Sequence, residues 1–99
     1  MVEYKKGYFA KSKAGHDHGK IYIIIEGTNE TGKEDFVMVA DGEVKTLEKP
    51  KKKRTKHLQI ILKCDEVIFE KMTKGQEIEN EDIKAAIRNY INIEGKGEY

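Results

Sequence analysis

Tyr8-Phe-Ala-Lys-Ser-Lys-Ala-Gly-His-Asp-His-Gly-Lys-Ile-Tyr-Ile-Ile-Ile-Glu-Gly27 reads as strand, tight basic turn, strand. The left arm, Tyr8 to Ser12, is short and aromatic. The right arm, Lys20 to Glu26, is the most β-branched run in the chain, and isoleucine and tyrosine suit a pleated, half-buried surface. Between the arms, Gly15 and Gly19 allow the left-handed backbone that a tight reversal needs. The same glycines let backbone N–H groups come close to a ligand. Lys11, Lys13, Lys20, His16 and His18 crowd around the bend. A rigid tip bearing cations and backbone donors suits phosphate.

Around this hairpin, the chain of 99 residues is short enough for one domain with a small core. Its net charge of +1 hides a division. Residues 1–63 carry fourteen Lys/Arg against nine Asp/Glu, a net of +5, and residues 64–99 carry five against nine, a net of −4. That asymmetry points to a basic working surface with an acidic portion facing elsewhere. The single cysteine, Cys64, excludes an internal disulfide and fits a reducing cytosol. No run approaches the roughly 18 apolar residues of a membrane helix, and the first residues lack the apolar core of a secretory signal.

Beyond the hairpin, Gly27–Lys33 reads as a solvated turn-rich loop. Phe36–Ala40 is a third strand, Asp41-Gly42 a hairpin turn, and Glu43–Leu47 a fourth strand. A loop, Glu48–His57, follows with the only proline and six basic residues. Leu58–Leu62 is a fifth strand. Five short strands within about 55 residues suggest a small curled barrel. Its inward set on a period of two is Phe9, Ile21, Ile23, Ile25, Val37, Val39, Val44, Leu47, Leu58 and Ile60. A one-residue slip is open at Ile21–Ile25, where every position is apolar or aromatic.

The tail then changes period. Ile83, Ala86, Ile87, Tyr90 and Ile91 make the stripe of an amphipathic helix over about 80–92, with Asn80 as its cap and Gly95 and Gly97 ending it. Asp65 suits the cap of a shorter helix carrying Ile68 and Met72 and stopping at Gly75, although Val67–Phe69 also reads as strand. The division expected is a barrel over 1–63 and a helical appendage over 64–99. That helix packs on the barrel or docks on a partner.

Lys49, Lys51, Lys52, Lys53, Arg54 and Lys56 fall within eight residues. Cations that dense repel one another unless an anion arrives. A merely solvated loop would show the same charge. Pro50 and the flanking strands favour nucleic-acid contact, where clustered cations release condensed counterions. His16-Asp17-His18, even with His57 and Cys64, matches no tetrahedral metal spacing, and a polar turn with Asp17 accepting local bonds is the plainer reading. Cys64 has no evident base beside it, and no serine motif, carboxylate pair or phosphate loop is present. The expectation is no enzyme, no cofactor and no metal. Tyr4, Tyr8, Phe9 and Tyr22 are candidates for base stacking, for caging a methylated side chain, or for core and rim packing, with Phe9 read as packing.

Lys11-Ser-Lys-Ala-Gly-His-Asp-His-Gly-Lys-Ile-Tyr-Ile-Ile, then Val39-Ala-Asp-Gly, then Lys49-Pro-Lys-Lys-Lys and Thr55-Lys-His-Leu, resemble the KOW family. The likeness is to the KOW-domain RNA-binding branch related to large-subunit ribosomal proteins, and it spans about Lys6 to Leu62. It implies a mainly β fold, a five-stranded SH3-like barrel, here with a C-terminal helix. It also implies non-catalytic RNA binding at or near the ribosome, in the cytoplasm. The RNA-facing residues it implies are Lys13, Gly15, His16, Asp17, His18, Gly19 and Lys20 in the turn, with Lys11 beside them. In the loop they are Lys49, Lys51, Lys52, Lys53, Arg54, Lys56 and His57. The expected partners are RNA, rRNA above all, and ribosomal proteins, with no membrane, for a monomer. The alternative is a protein-interaction module that docks on ribosomal or transcription machinery through the barrel or through Ile83, Ile87 and Tyr90 of the tail helix.

Overall fold

The computed structural model describes residues 4–97, with side chains over 4–93. Five strands form one antiparallel sheet: β1 (Tyr8–Ser12), β2 (Ile21–Glu26), β3 (Phe36–Ala40), β4 (Lys51–Arg54) and β5 (Leu58–Cys64). Their order is β4-β3-β2-β1-β5. A four-residue helical turn, α1 (Thr28–Thr31), lies between β2 and β3, and a 3-10 turn (Thr55–His57) precedes β5. Helices α2 (Glu66–Thr73) and α3 (Asn80–Gly97) complete the chain.

The central strand explains the layering. Ile21, Tyr22, Ile23 and Ile24 are all buried, so β2 is covered on both faces, as an unbroken apolar run in mid-sheet requires. One face presents Phe9, Ile21, Ile23 and Ala40 to Ile68 of α2 and to Ile83 and Ala86 of α3. The other face gathers Ala10, Tyr22, Ile24, Val37, Val39 and Leu58. Leu58 on β5 shares that cluster with Val37 and Val39 on β3, although β2 and β1 stand between the two strands, so the sheet curls. Among the described residues β4 and β5 remain its two open edges. The expected single inward set is thus two sets on opposite faces, because helices cover the side that an isolated barrel would turn to solvent.

The structure departs from the sequence expectation at three further points. The fourth strand is the basic run itself, not Glu43–Leu47. Its register sets Lys53 opposite Val37 and Lys51 opposite Val39. Glu43–Leu47 is a loop because its polar backbone is satisfied locally. Asp41 Oδ1 accepts from the N–H of Glu43 (2.9 Å) and of Lys45 (2.8 Å), and Asp41 N–H donates to the Lys45 carbonyl (2.8 Å). Val44, expected inside, is 68% exposed. Asn80 does not cap its own helix. Its Oδ1 accepts from Leu47 N–H at 2.8 Å and its Nδ2 donates to Glu48 at 2.9 Å, which ties the loop to α3. Nor does Gly95 end α3, which runs on to Gly97.

The short helix forms as its sequence suggests. Asp65 Oδ2 accepts from Val67 N–H (3.0 Å) and Ile68 N–H (3.2 Å), and Gly75 takes the left-handed backbone just past the end. Lys71 of α2 bridges to Asp82 of α3 at 2.7 Å. Strand β5 runs to Cys64, one residue past the expected division, and Ile68, Ile83 and Ala86 of the helices complete the cluster begun by β1 and β2.

Candidate nucleic-acid interface

The turn between β1 and β2 reverses at two left-handed glycines, Gly15 (φ 79°) and Gly19 (φ 89°). Backbone bonds close it: Gly19 N–H to Ser12 O at 2.7 Å and Lys20 N–H to Asp17 O at 2.9 Å. That closure aims Asp17 inward. Its carboxylate accepts from Ser12 Oγ (3.0 Å), Tyr22 OH (2.8 Å), Lys51 Nζ (3.1 Å) and Lys53 Nζ (3.1 Å). Asp17 is therefore the polar lid of the inner face, and its charge is what allows two lysines to stand on the inner side of β4. Lys53 is buried, and Asp17 itself is half-buried.

The electrostatics follow from this packing. Burial by itself would raise the Asp17 carboxyl. The bonds from Tyr22, Lys53, Lys51 and Ser12 outweigh it and hold the group far below the usual carboxylate range. Burial first, and the Asp17 carboxylate next, push the Tyr22 hydroxyl above its usual value, so it stays a donor. Asp41 is similar. Burial raises it, while Lys20 (2.6 Å) and two backbone N–H groups bring it below the ordinary value.

The clamp brings the two basic segments side by side. Asp17 joins the turn to β4, and Lys13 N–H donates to the His57 carbonyl at 2.8 Å, joining the turn to the 3-10 turn as well. The candidates then sort by what each side chain does. Lys51, Lys53 and Asp17 are spent on one another. Lys20 is spent on Asp41, with its ammonium 5.4 Å from the centre of the Tyr22 ring. Arg54 pairs with Asp35 at 3.1 Å in the open, where such a pair contributes little. Lys52 lies 4.3 Å over the ring of Phe36 and keeps its charge exposed. Lys11, Lys13, Lys49 and Lys56 are exposed, and so are His16 and His18. No carboxylate among the described residues is paired with any of those four lysines or with Lys52. Gly15 and Gly19 shape the bend, and His57 contributes its carbonyl.

Sequence reasoning missed the Ser12 and Tyr22 hydroxyls. A tyrosine within an isoleucine run was the available signal, since a buried phenol needs a partner. Tyr22 and Phe9 are both buried and offer no stacking face to a ligand. Tyr4 donates to the Thr55 carbonyl at 3.2 Å. Cys64 is half-buried and packs beside the helix-side core; burial first, then Asp65, push its thiol up, away from a reactive thiolate. Among the described residues no three His, Cys, Asp or Glu side chains come together as a metal site, and no helix is long and apolar enough to cross a membrane. No family model and no curated protein matches this chain.

Proposed function

We propose that the chain is a non-catalytic RNA-binding protein that works at or near the ribosome and holds phosphates with the Lys11–Lys20 turn and the Lys49–His57 segment. The observation that carries this reading is the Asp17 bridge. It sets the two cationic segments against each other, with five unpaired lysines on the outside. Lysines and backbone donors fixed on a rigid surface recognise phosphate spacing and RNA shape rather than base edges. The KOW resemblance supports the same reading. So does the curled sheet, which is compatible with an SH3-like barrel whose last seam stays open. The alternative of docking a protein through α3 is disfavoured, because Ile83 is buried and the sheet covers the inner sides of Ile87 and Tyr90, which leaves only their narrow flanks open.

The bridge also decides which lysines to test. Replacing Lys51 or Lys53 confounds binding with folding. The informative variant neutralises Lys49, Lys52 and Lys56 together, all to Ala. Affinity for a structured RNA is measured against salt concentration. The expected result is a weaker complex whose logarithmic salt slope is shallower by roughly 0.7–0.9 for each phosphate no longer neutralised. Wild-type affinity together with a wild-type slope would reject the surface.

A further inference from the structure

A groove of about 880 Å³ runs between the β1–β2 hairpin and α3. Its charged lining is Lys11, Lys20, Lys84 and Arg88 against Asp41 and Glu43. Asp41 is closed off by Lys20, and Lys84 leans on Glu81 at 3.6 Å. Lys11 and Arg88 are exposed, and no carboxylate among the described residues is paired with either. Lys84 and Arg88 stand one helical turn apart, so they edge the groove as neighbours. Ile91 is half exposed, and beside it the flanks of Ile87 and Tyr90 that the sheet leaves uncovered complete an apolar wall; the inner face of the Tyr90 ring is stacked on Phe9 at 4.8 Å. The groove begins at Gly19 and Lys20. It is thus continuous with the turn that holds one half of the proposed interface.

We propose that this groove seats an unpaired nucleotide of the bound RNA, with a phosphate between Lys11 and Arg88 and the base against Ile91 and the outer flanks of Ile87 and Tyr90. The inference rests on the RNA-binding reading above and extends it to α3, where the acidic composition of the tail gives no hint of such a role. Apolar wall and cationic rim together match a nucleotide, which carries a flat apolar face and a charge a few ångströms apart. An acidic peptide would use the rim but leave the wall idle. A single strand leaving a structured RNA at the turn would run into this groove next.

The test compares two RNAs on the full chain by fluorescence anisotropy: one blunt hairpin, and the same hairpin with a short oligouridine tail. A phosphate held at the rim and a base laid on the wall raise affinity for the tailed RNA about tenfold or more. Arg88→Ala removes most of that advantage, leaves blunt-hairpin affinity unchanged and melts as the wild type does, because Arg88 is exposed. Arg88→Lys keeps most of it. Equal affinity for blunt and tailed RNA overturns the groove assignment while the main surface stands. Binding of neither RNA overturns the underlying reading, and the groove with it. Displacement of the tail by polyglutamate as readily as by polyuridine also overturns it, since the groove is then a general anion trough.

Discussion

Asp17→Asn is the substitution that bears most heavily on the fold. The amide keeps the shape of the carboxylate and removes its charge. Four donors then face a neutral group: Ser12, Tyr22, Lys51 and Lys53. The Lys51 pair, with its side chain about one-third exposed, contributes under about 1 kcal/mol. Lys53 differs, since its side chain is 9% exposed and its partner 15%. Stripping the partner from a fully buried ammonium costs roughly 3–5 kcal/mol. The asparagine oxygen still accepts one or two of the bonds, so about 3 kcal/mol overall is the expected loss. For a domain of this size that lowers Tm by about 15 °C. Thermal and urea melts followed by circular dichroism read it. A second measurement isolates the cause: in a Lys53→Met background the Asp17→Asn penalty should shrink by at least about 1 kcal/mol, because no buried ammonium is left unpaired. A single-variant loss below about 0.5 kcal/mol, or an equal loss in both backgrounds, would rule out the buried pair as the source of the stability.

Three other outcomes rest on the same packing. Tyr22→Phe removes the shortest of the bonds to Asp17 and should cost about 1.5–2 kcal/mol, read from the urea midpoint at unchanged m. Gly42→Ala should cost more than about 2 kcal/mol: the backbone is left-handed (φ 81°), and the new Cβ would run into the Asn80 carbonyl oxygen, so the loop must move off α3. Acid should unfold the protein through its depressed carboxyls. Asp17, Asp41 and Asp82 are held below the ordinary value in the folded state. The unfolded chain therefore binds more protons, and the stability they supply is complete above about pH 5 and falls as pH drops below about 4. A melting temperature that stayed flat from pH 5 to pH 3 would count against all three assignments.

The elements that were legible have a strong local signal. The arms of the hairpin, Phe36–Ala40 and Leu58–Leu62 carry β-branched runs, Asp65 and Gly75 mark the ends of α2, and the spacing of Ile83, Ala86 and Ile87 marks α3. What was illegible is tertiary. Lysine has low strand propensity, so nothing local predicts Lys51–Arg54 as a strand; the neutralising carboxylate sits 34 and 36 residues away from Lys51 and Lys53. Val44 and Leu47 are three residues apart, so they cannot share one face of a strand, and Asp41 bonds the backbone of Glu43 and Lys45 into a loop. The two faces of β2 could not be told apart from an all-apolar run. The two cationic segments of the candidate site were legible, but which of their side chains pair with one another was not. Which lysines are spent and which are free depends on Asp17 and Asp41; only the family resemblance, not its charge, had set Asp17 on the binding face.

RNA binding by the paired segments is best tested by ultraviolet crosslinking in cells, read on both molecules. The bound RNA is sequenced and the crosslinked peptides are mapped. The expected outcome is one discrete segment of ribosomal RNA, with crosslinked positions on the Lys11–Lys20 turn and the Lys49–His57 segment. RNA fragments scattered without enrichment, or crosslinks confined to faces away from both segments, would overturn the assignment.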